Sequence, residues 1–124
     1  MKLARATAVA VLALRISYGL ALIVAPRRLA FRWLGPAADD APVQVALRAL
    51  GARETVLHTG ALAAAINGKP LRPWLAASAA GDITDVIATA IGRRRLPPGS
   101  TPATLAVGGS AALASVALAA AVDA

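Results

Sequence analysis

The sequence predicts an all-α membrane protein: four transmembrane helices in an antiparallel bundle, with a short interfacial segment after the first. Three observations predict it. Apolar runs occupy 6–25, 43–66, 71–91 and 101–122, each near the roughly 20 residues that cross a hydrocarbon core about 30 Å thick. The stretches between them are short and carry Gly, Pro and arginine, as loops at a membrane surface do. Hydrophobic residues make up 58% of the chain and charged residues only 15%, against about 25% charged in soluble domains. A soluble helical bundle of this composition would lack the polar surface to cover itself. The 124 residues form one domain, residues 1–124.

The first run follows a basic start, Lys2 and Arg5, and has Arg15 at its centre. A signal peptide also begins on basic residues. This run is too long for one, Arg15 interrupts it, and Pro26-Arg27-Arg28 follows where a small-residue cleavage site would stand. It reads as a retained helix. In the next stretch Arg27, Arg28 and Arg32 alternate with Leu29, Phe31, Trp33 and Leu34. That alternation suits an interfacial segment, with guanidinium groups among head groups and aromatics at the boundary. A lipid-specific binding motif is the rival reading. Residues 35–42 form a loop by their Gly, Pro and Asp content, with Asp40 placed to cap the second helix and Pro42 in its first turn.

The second run carries the most charge: Arg48, Arg53, Glu54 and His58. Asn67-Gly68-Lys69-Pro70 is a tight turn, so the second and third helices are antiparallel neighbours. The third run starts on Arg72 and Trp74 and holds Asp82 and Asp85 at its middle. The fourth follows the Arg93-Arg94-Arg95 loop and is built of Ala, Gly, Ser, Val and Leu. Its small residues recur every four positions at Gly108 and Ala112, and at Ala111, Ser115 and Ala119, which lets helices pack closely. The expected location is the cell inner (plasma) membrane, crossed several times. Six arginines in the first and third loops outweigh Lys2, Arg5, Lys69 and Arg72, which favours those loops in the cytoplasm.

A helix advances 100° per residue, so positions three and four apart share a face. Ser78, Asp82, Asp85 and Thr89 form one polar stripe. Arg48, Gly51, Thr55 and His58 form another, with Glu54 at its edge. Arg15, Tyr18, Gly19 and Leu22 share a face of the first helix. Arg15, Arg48 and Arg53 balance Glu54, Asp82 and Asp85, three against three, within the membrane span. An unpaired charge there costs about 2.5–3.5 kcal/mol on insertion scales, so a network is expected: Arg48 with Asp85 by their matching depth, and Arg15 or Arg53 with Asp82 and Glu54.

These residues set the function classes. The net charge of +7 sits at the ends of apolar runs, not in a basic stripe, so no nucleic-acid partner is expected. There is no cysteine and one histidine, which leaves no basis for a zinc site, and no metal or cofactor is expected. Asp82 and Asp85 resemble the aspartate pairs of membrane enzymes acting on diphosphates, but the fuller motifs are missing. Small multidrug exporters match in size, yet they rely on a carboxylate where this chain has Arg15. As acid–base candidates the sequence offers Asp82, Asp85, Glu54 and His58; as groups binding a substrate it offers Arg15, Arg48, Arg53 and Tyr18.

The blocks Leu47-Arg48-Ala49-Leu50-Gly51-Ala52-Arg53-Glu54 and Gly81-Asp82-Ile83-Thr84-Asp85, with Ala25-Pro26-Arg27-Arg28-Leu29, resemble a family of small four-helix integral membrane proteins from high-GC bacteria, DoxX-like in outline. The resemblance covers nearly the whole chain. It implies a four-helix bundle with a charged centre and brings no established reaction. The function expected is binding or conversion of a small lipophilic or anionic molecule within the bundle, as a membrane enzyme or as a small subunit of a redox or transport assembly. Two alternatives stand beside it: an accessory subunit whose buried charges only fix helix packing, and a small proton-coupled transporter. The partners this leaves are the lipid bilayer, that ligand, and a second copy or another membrane protein.

Overall fold

A computed structural model describes residues 2–122. The chain is all-α, with helices α1 (Lys2–Val24), α2 (Pro26–Leu34), α3 (Ala41–Ile66), α4 (Arg72–Gly92) and α5 (Ser100–Val122). The segment expected at the interface is thus a helix in its own right. Proline explains the break: Pro26 has no N–H to continue α1, but its fixed φ suits the first turn of a new helix. Two further expectations need correction. Residues 35–39 are not irregular loop but a 3₁₀ helix, Gly35–Asp39. Asp40 occupies the cap position of α3, yet its side chain makes no capping hydrogen bond. The turn at 67–70 is present, with Gly68 at φ 65°, and Arg93–Arg95 form a second 3₁₀ turn.

α1, α4 with the turn that follows it, and α5 are each long and apolar enough to cross a membrane. α3 has 26 residues, about 39 Å at 1.5 Å each, so length does not exclude it. Its polar and charged residues together, Gln44, Arg48, Arg53, Glu54 and His58, keep it out of that apolar set. Large apolar side chains face outward along the helices: Leu14, Val56, Ile87, Val107 and Leu113 are each more than half exposed. Polar groups face inward instead, with His58, Ser78, Asp82, Thr89 and Ser115 all buried. That arrangement inverts the usual distribution in a water-soluble domain.

The helices associate as two close pairs, α1 with α3 and α4 with α5. Contacts run in opposite directions along each pair. Arg5 reaches Ala65 O and Lys69 O at 3.2 Å each, while Arg48, near the start of α3, reaches Ile23 O at 3.1 Å. Arg72, at the start of α4, donates to Ala119 O at 2.9 Å near the end of α5. Glycine sets the first crossing. A Cβ on Gly51 would lie 2.7 Å from Gly19 O, and one on Gly19 would lie 2.9 Å from Gly51 O. No side chain fits there, and the backbones touch. In the second pair, Ala112, Ser115, Ala119 and Val122 are the buried face of α5, close to the small-residue ridge read from the sequence.

Two small apolar layers close the ends of the molecule. One holds Ala8, Ala64, Leu71, Leu75, Ala119 and Val122. The other holds Leu22, Ala30, Ala38 and Leu47, covered by Trp33 and Leu34. Between them, at the level of Arg15, Glu54 and Asp82, the centre is polar.

Candidate functional site

The central cluster joins three helices. Arg15 comes from α1, one turn before the Gly19 crossing, and extends between α3 and α4. It grips Asp82 of α4 with both terminal nitrogens, Nη1 to Oδ2 at 2.9 Å and Nη2 to Oδ1 at 2.6 Å. Nη2 also donates to Glu54 Oε2 of α3 at 3.4 Å. This is the bidentate geometry that a planar guanidinium supplies and an ammonium does not. The Arg15 Nε is buried and has no hydrogen-bond partner.

His58 extends the network. Its Nδ1 donates to the Glu54 carbonyl at 2.7 Å, and Glu54 Oε2 lies 3.3 Å from the same nitrogen. A carbonyl only accepts, so Nδ1 carries the hydrogen. In the neutral ring, Nε2 then accepts from the Ser78 hydroxyl of α4, at 2.8 Å. The histidine, 1% exposed, therefore bridges α3 to α4. Ser78 was visible on the polar stripe of its helix, but nothing in the spacing showed that it would meet the one histidine.

Asp85 stands one turn beyond Asp82 and is treated differently. It is half-buried, and no ion pair or side-chain hydrogen bond holds its carboxylate among the described residues. Glu54, Asp82, Arg53 and Arg15 lie within electrostatic reach of it, as does the Tyr18 side chain. Arg53 is exposed and Tyr18 is 48% exposed. Asp85, Arg53 and Tyr18 thus form the open flank of the cluster, toward the outer surface.

The expected Arg48–Asp85 pair is not formed. Matching depth placed the two residues level, but depth says nothing about direction around the helix. Arg48 shares its face with Gly51, and that face is pressed against α1. Its Nε accordingly meets Ile23 O at the end of α1. The three-to-three balance fails with it. Two arginines, Arg15 and Arg53, face three carboxylates, Glu54, Asp82 and Asp85.

Trp33, whose residue type and neighbours suit an interface, is a further structural group. Its indole Nε1 donates to Thr89 Oγ1 at 2.9 Å, and its carbonyl accepts from Ser100 Oγ at 2.7 Å. Thr89 in turn donates to the Asp85 carbonyl at 2.8 Å. α2 is thereby tied to the end of α4 and the start of α5, one turn from the open carboxylate.

No group of three or more His, Cys, Asp or Glu able to hold a metal ion occurs among the described residues. Two surface cavities stand out, and both lie at the end of the molecule that carries α2, away from the cluster. Fold and cluster together define a class: an all-helical protein with membrane-length helices, outward-facing apolar side chains and a charged centre. No family model, no curated protein and no solved structure matches the chain.

Proposed function

We propose that this chain is a multi-pass inner-membrane protein in which α1, α3, α4 and α5 cross the bilayer, α2 lies at its surface, and the flank around Asp85 binds a small lipophilic molecule bearing a polar group. The likeness to small DoxX-like membrane proteins belongs to the same proposal. The observation that carries it is Asp85 itself: a half-buried carboxylate near the middle of α4 that forms no ion pair. Ionisable groups at that depth are costly and tend to mark ligand or ion paths. The charge count points the same way. A cluster with one carboxylate in excess accommodates a hydrogen-bond donor, a cation or a proton more readily than an anion. Binding is favoured over catalysis because the other acid–base candidates are occupied: Asp82 by Arg15, Glu54 by Arg15 and His58, and His58 by Ser78.

A second reading has its own support. The bidentate Arg15–Asp82 grip and the His58 bridge are what a helix-registering network requires, and an accessory subunit needs nothing more. Labelling separates the two. The full chain, in lipid nanodiscs, is treated with the lipophilic carbodiimide dicyclohexylcarbodiimide and the adducts are mapped by peptide mass spectrometry. Binding at the open flank requires most of the adduct on Asp85 and little on Asp82. An unlabelled Asp85, or equal labelling of both, sinks the ligand reading and leaves the accessory one.

A further inference from the structure

At the end of α1 a cavity of about 390 Å³ opens between three helices, lined by Val24, Pro26, Arg27, Arg28, Gln44 and Arg48. We propose that it is a binding site for a phosphate group, with an anionic lipid headgroup as the fitting source. Three arginines line it, two from α2 and one from α3. Arg27 is held by an ion pair with Asp39 and lies over the Phe31 ring, 5.5 Å from its centroid. Arg48 is oriented by its Nε bond to Ile23 O, which leaves both terminal nitrogens for a ligand. Arg28 is exposed and has no bonded partner among the described residues. With one carboxylate against three arginines, the cavity holds an excess of positive charge.

The backbone adds to this. The first turn of α2 leaves the N–H groups of Arg27 and Arg28 without partners inside the helix. No side chain caps that end, and Pro26 contributes no N–H. Such ends favour phosphate oxygens. Arginine adds forked, bidentate donors of matching geometry. One side of the lining is apolar, made by Val24, which is 80% exposed, with Ala25 and Pro26. A phosphate on a diacyl chain satisfies both halves, headgroup in the basic cavity and acyl chains along the end of α1. Only the lipid source depends on the membrane reading above, since the cavity takes a free phosphate by the same contacts.

The test uses the detergent-purified full chain and native mass spectrometry. It is titrated with phosphatidylglycerol, with diacylglycerol carrying the same tails, and with inorganic phosphate. Phosphatidylglycerol should bind and diacylglycerol should not. Arg28→Gln and Arg48→Gln should each weaken phosphatidylglycerol roughly tenfold, the loss of one charge-assisted contact. The charge-matched pair Arg94→Gln and Arg95→Gln, outside the cavity, should leave binding intact. Retained phosphate adducts without phosphatidylglycerol adducts, lost in the same variants, would uphold the site and assign it to a free phosphate. The site is overturned if diacylglycerol binds as well as phosphatidylglycerol, if the Arg28/Arg48 double variant binds unchanged, or if the control pair loses as much. None of these readouts involves Asp85, so failure here is distinct from failure of the binding flank.

Discussion

Asp82 and Asp85 sit one helical turn apart on α4, yet they have different fates. Asp82 is 7% exposed and gripped by both terminal nitrogens of Arg15. Asp85 is half-buried with no arginine on it. The difference comes from neighbours, not from the helix. Asp82 is level with Arg15, which enters from α1 just before the glycine crossing. Arg48, the partner expected for Asp85, is held instead at the end of α1 by its bond to Ile23 O. One carboxylate therefore holds the fold and the other is left available. Identical chemistry at adjacent turns supports separate roles, and mutation should separate them.

The largest effect is expected at Arg15. Arg15→Met strands both Asp82 and Glu54 without their cation, and breaking such a buried pair costs about 3–5 kcal/mol. The variant should fail to accumulate as folded protein, or melt far below the parent in detergent. Asp85→Asn leaves every observed ion pair in place and should melt within about 0.5 kcal/mol of the parent, as substitutions outside such features usually do. Adding Asp82→Leu to Arg15→Met removes both members of the closest pair and should recover part of the lost stability. Thermal unfolding followed by tryptophan fluorescence reports all three. Equal losses for Arg15→Met and Asp85→Asn would erase the contrast between the two carboxylates.

The glycine crossing comes next, because it decides which arginine faces which carboxylate. A methyl on Gly51 meets Gly19 O at 2.7 Å and the Ile23 backbone nitrogen at 3.1 Å. Gly51→Ala must push α1 from α3 and should cost about 1–3 kcal/mol, the usual penalty of overpacking. Gly81 has nothing within 4 Å of its would-be Cβ, and Gly81→Ala should be neutral or stabilising by up to about 1 kcal/mol, since alanine favours the helix. The comparison is sharper with the carbodiimide labelling added. Separating α1 from α3 loosens Arg15, so Asp82 should gain adduct in Gly51→Ala and not in Gly81→Ala.

Much of this was legible in the sequence, and the part that was not has a physical cause. Apolar run lengths located α1, α3, α4 and α5 to within a few residues. Helical spacing correctly grouped Ser78, Asp82 and Thr89, which are buried together. It grouped Gly19 with Arg15 and Gly51 with Thr55, but did not show the contact between the two glycines. Depth counting found the Arg15, Glu54 and Asp82 layer, since distance along a helix follows from residue number alone. It failed for Arg48, because rotation about the helix axis is set by packing, and packing is set by the partner's glycine. The break at Pro26 was read as a change of environment where it is the start of a new helix. Trp33 pointed to an interface by composition, while its bond to Thr89 depends on how α2 folds back, which no local pattern encodes.

The smallest expected effect tests that last contact, and it bears on the open carboxylate. Trp33→Phe keeps an aromatic ring over the apolar layer of Leu22, Ala30, Ala38 and Leu47 but removes the Nε1 donor to Thr89. A single side-chain hydrogen bond contributes about 0.5–1.5 kcal/mol net, so the melting point should fall only slightly. Thr89 keeps its bond to the Asp85 carbonyl, so α4 stays helical there. What changes is the tether between α2 and the last turns of α4. If that tether limits access to the flank, carbodiimide labelling of Asp85 should rise in Trp33→Phe while Asp82 stays protected by Arg15. Unchanged labelling would mean that α2 does not govern access to Asp85, and that the flank opens through Tyr18 and Arg53 alone.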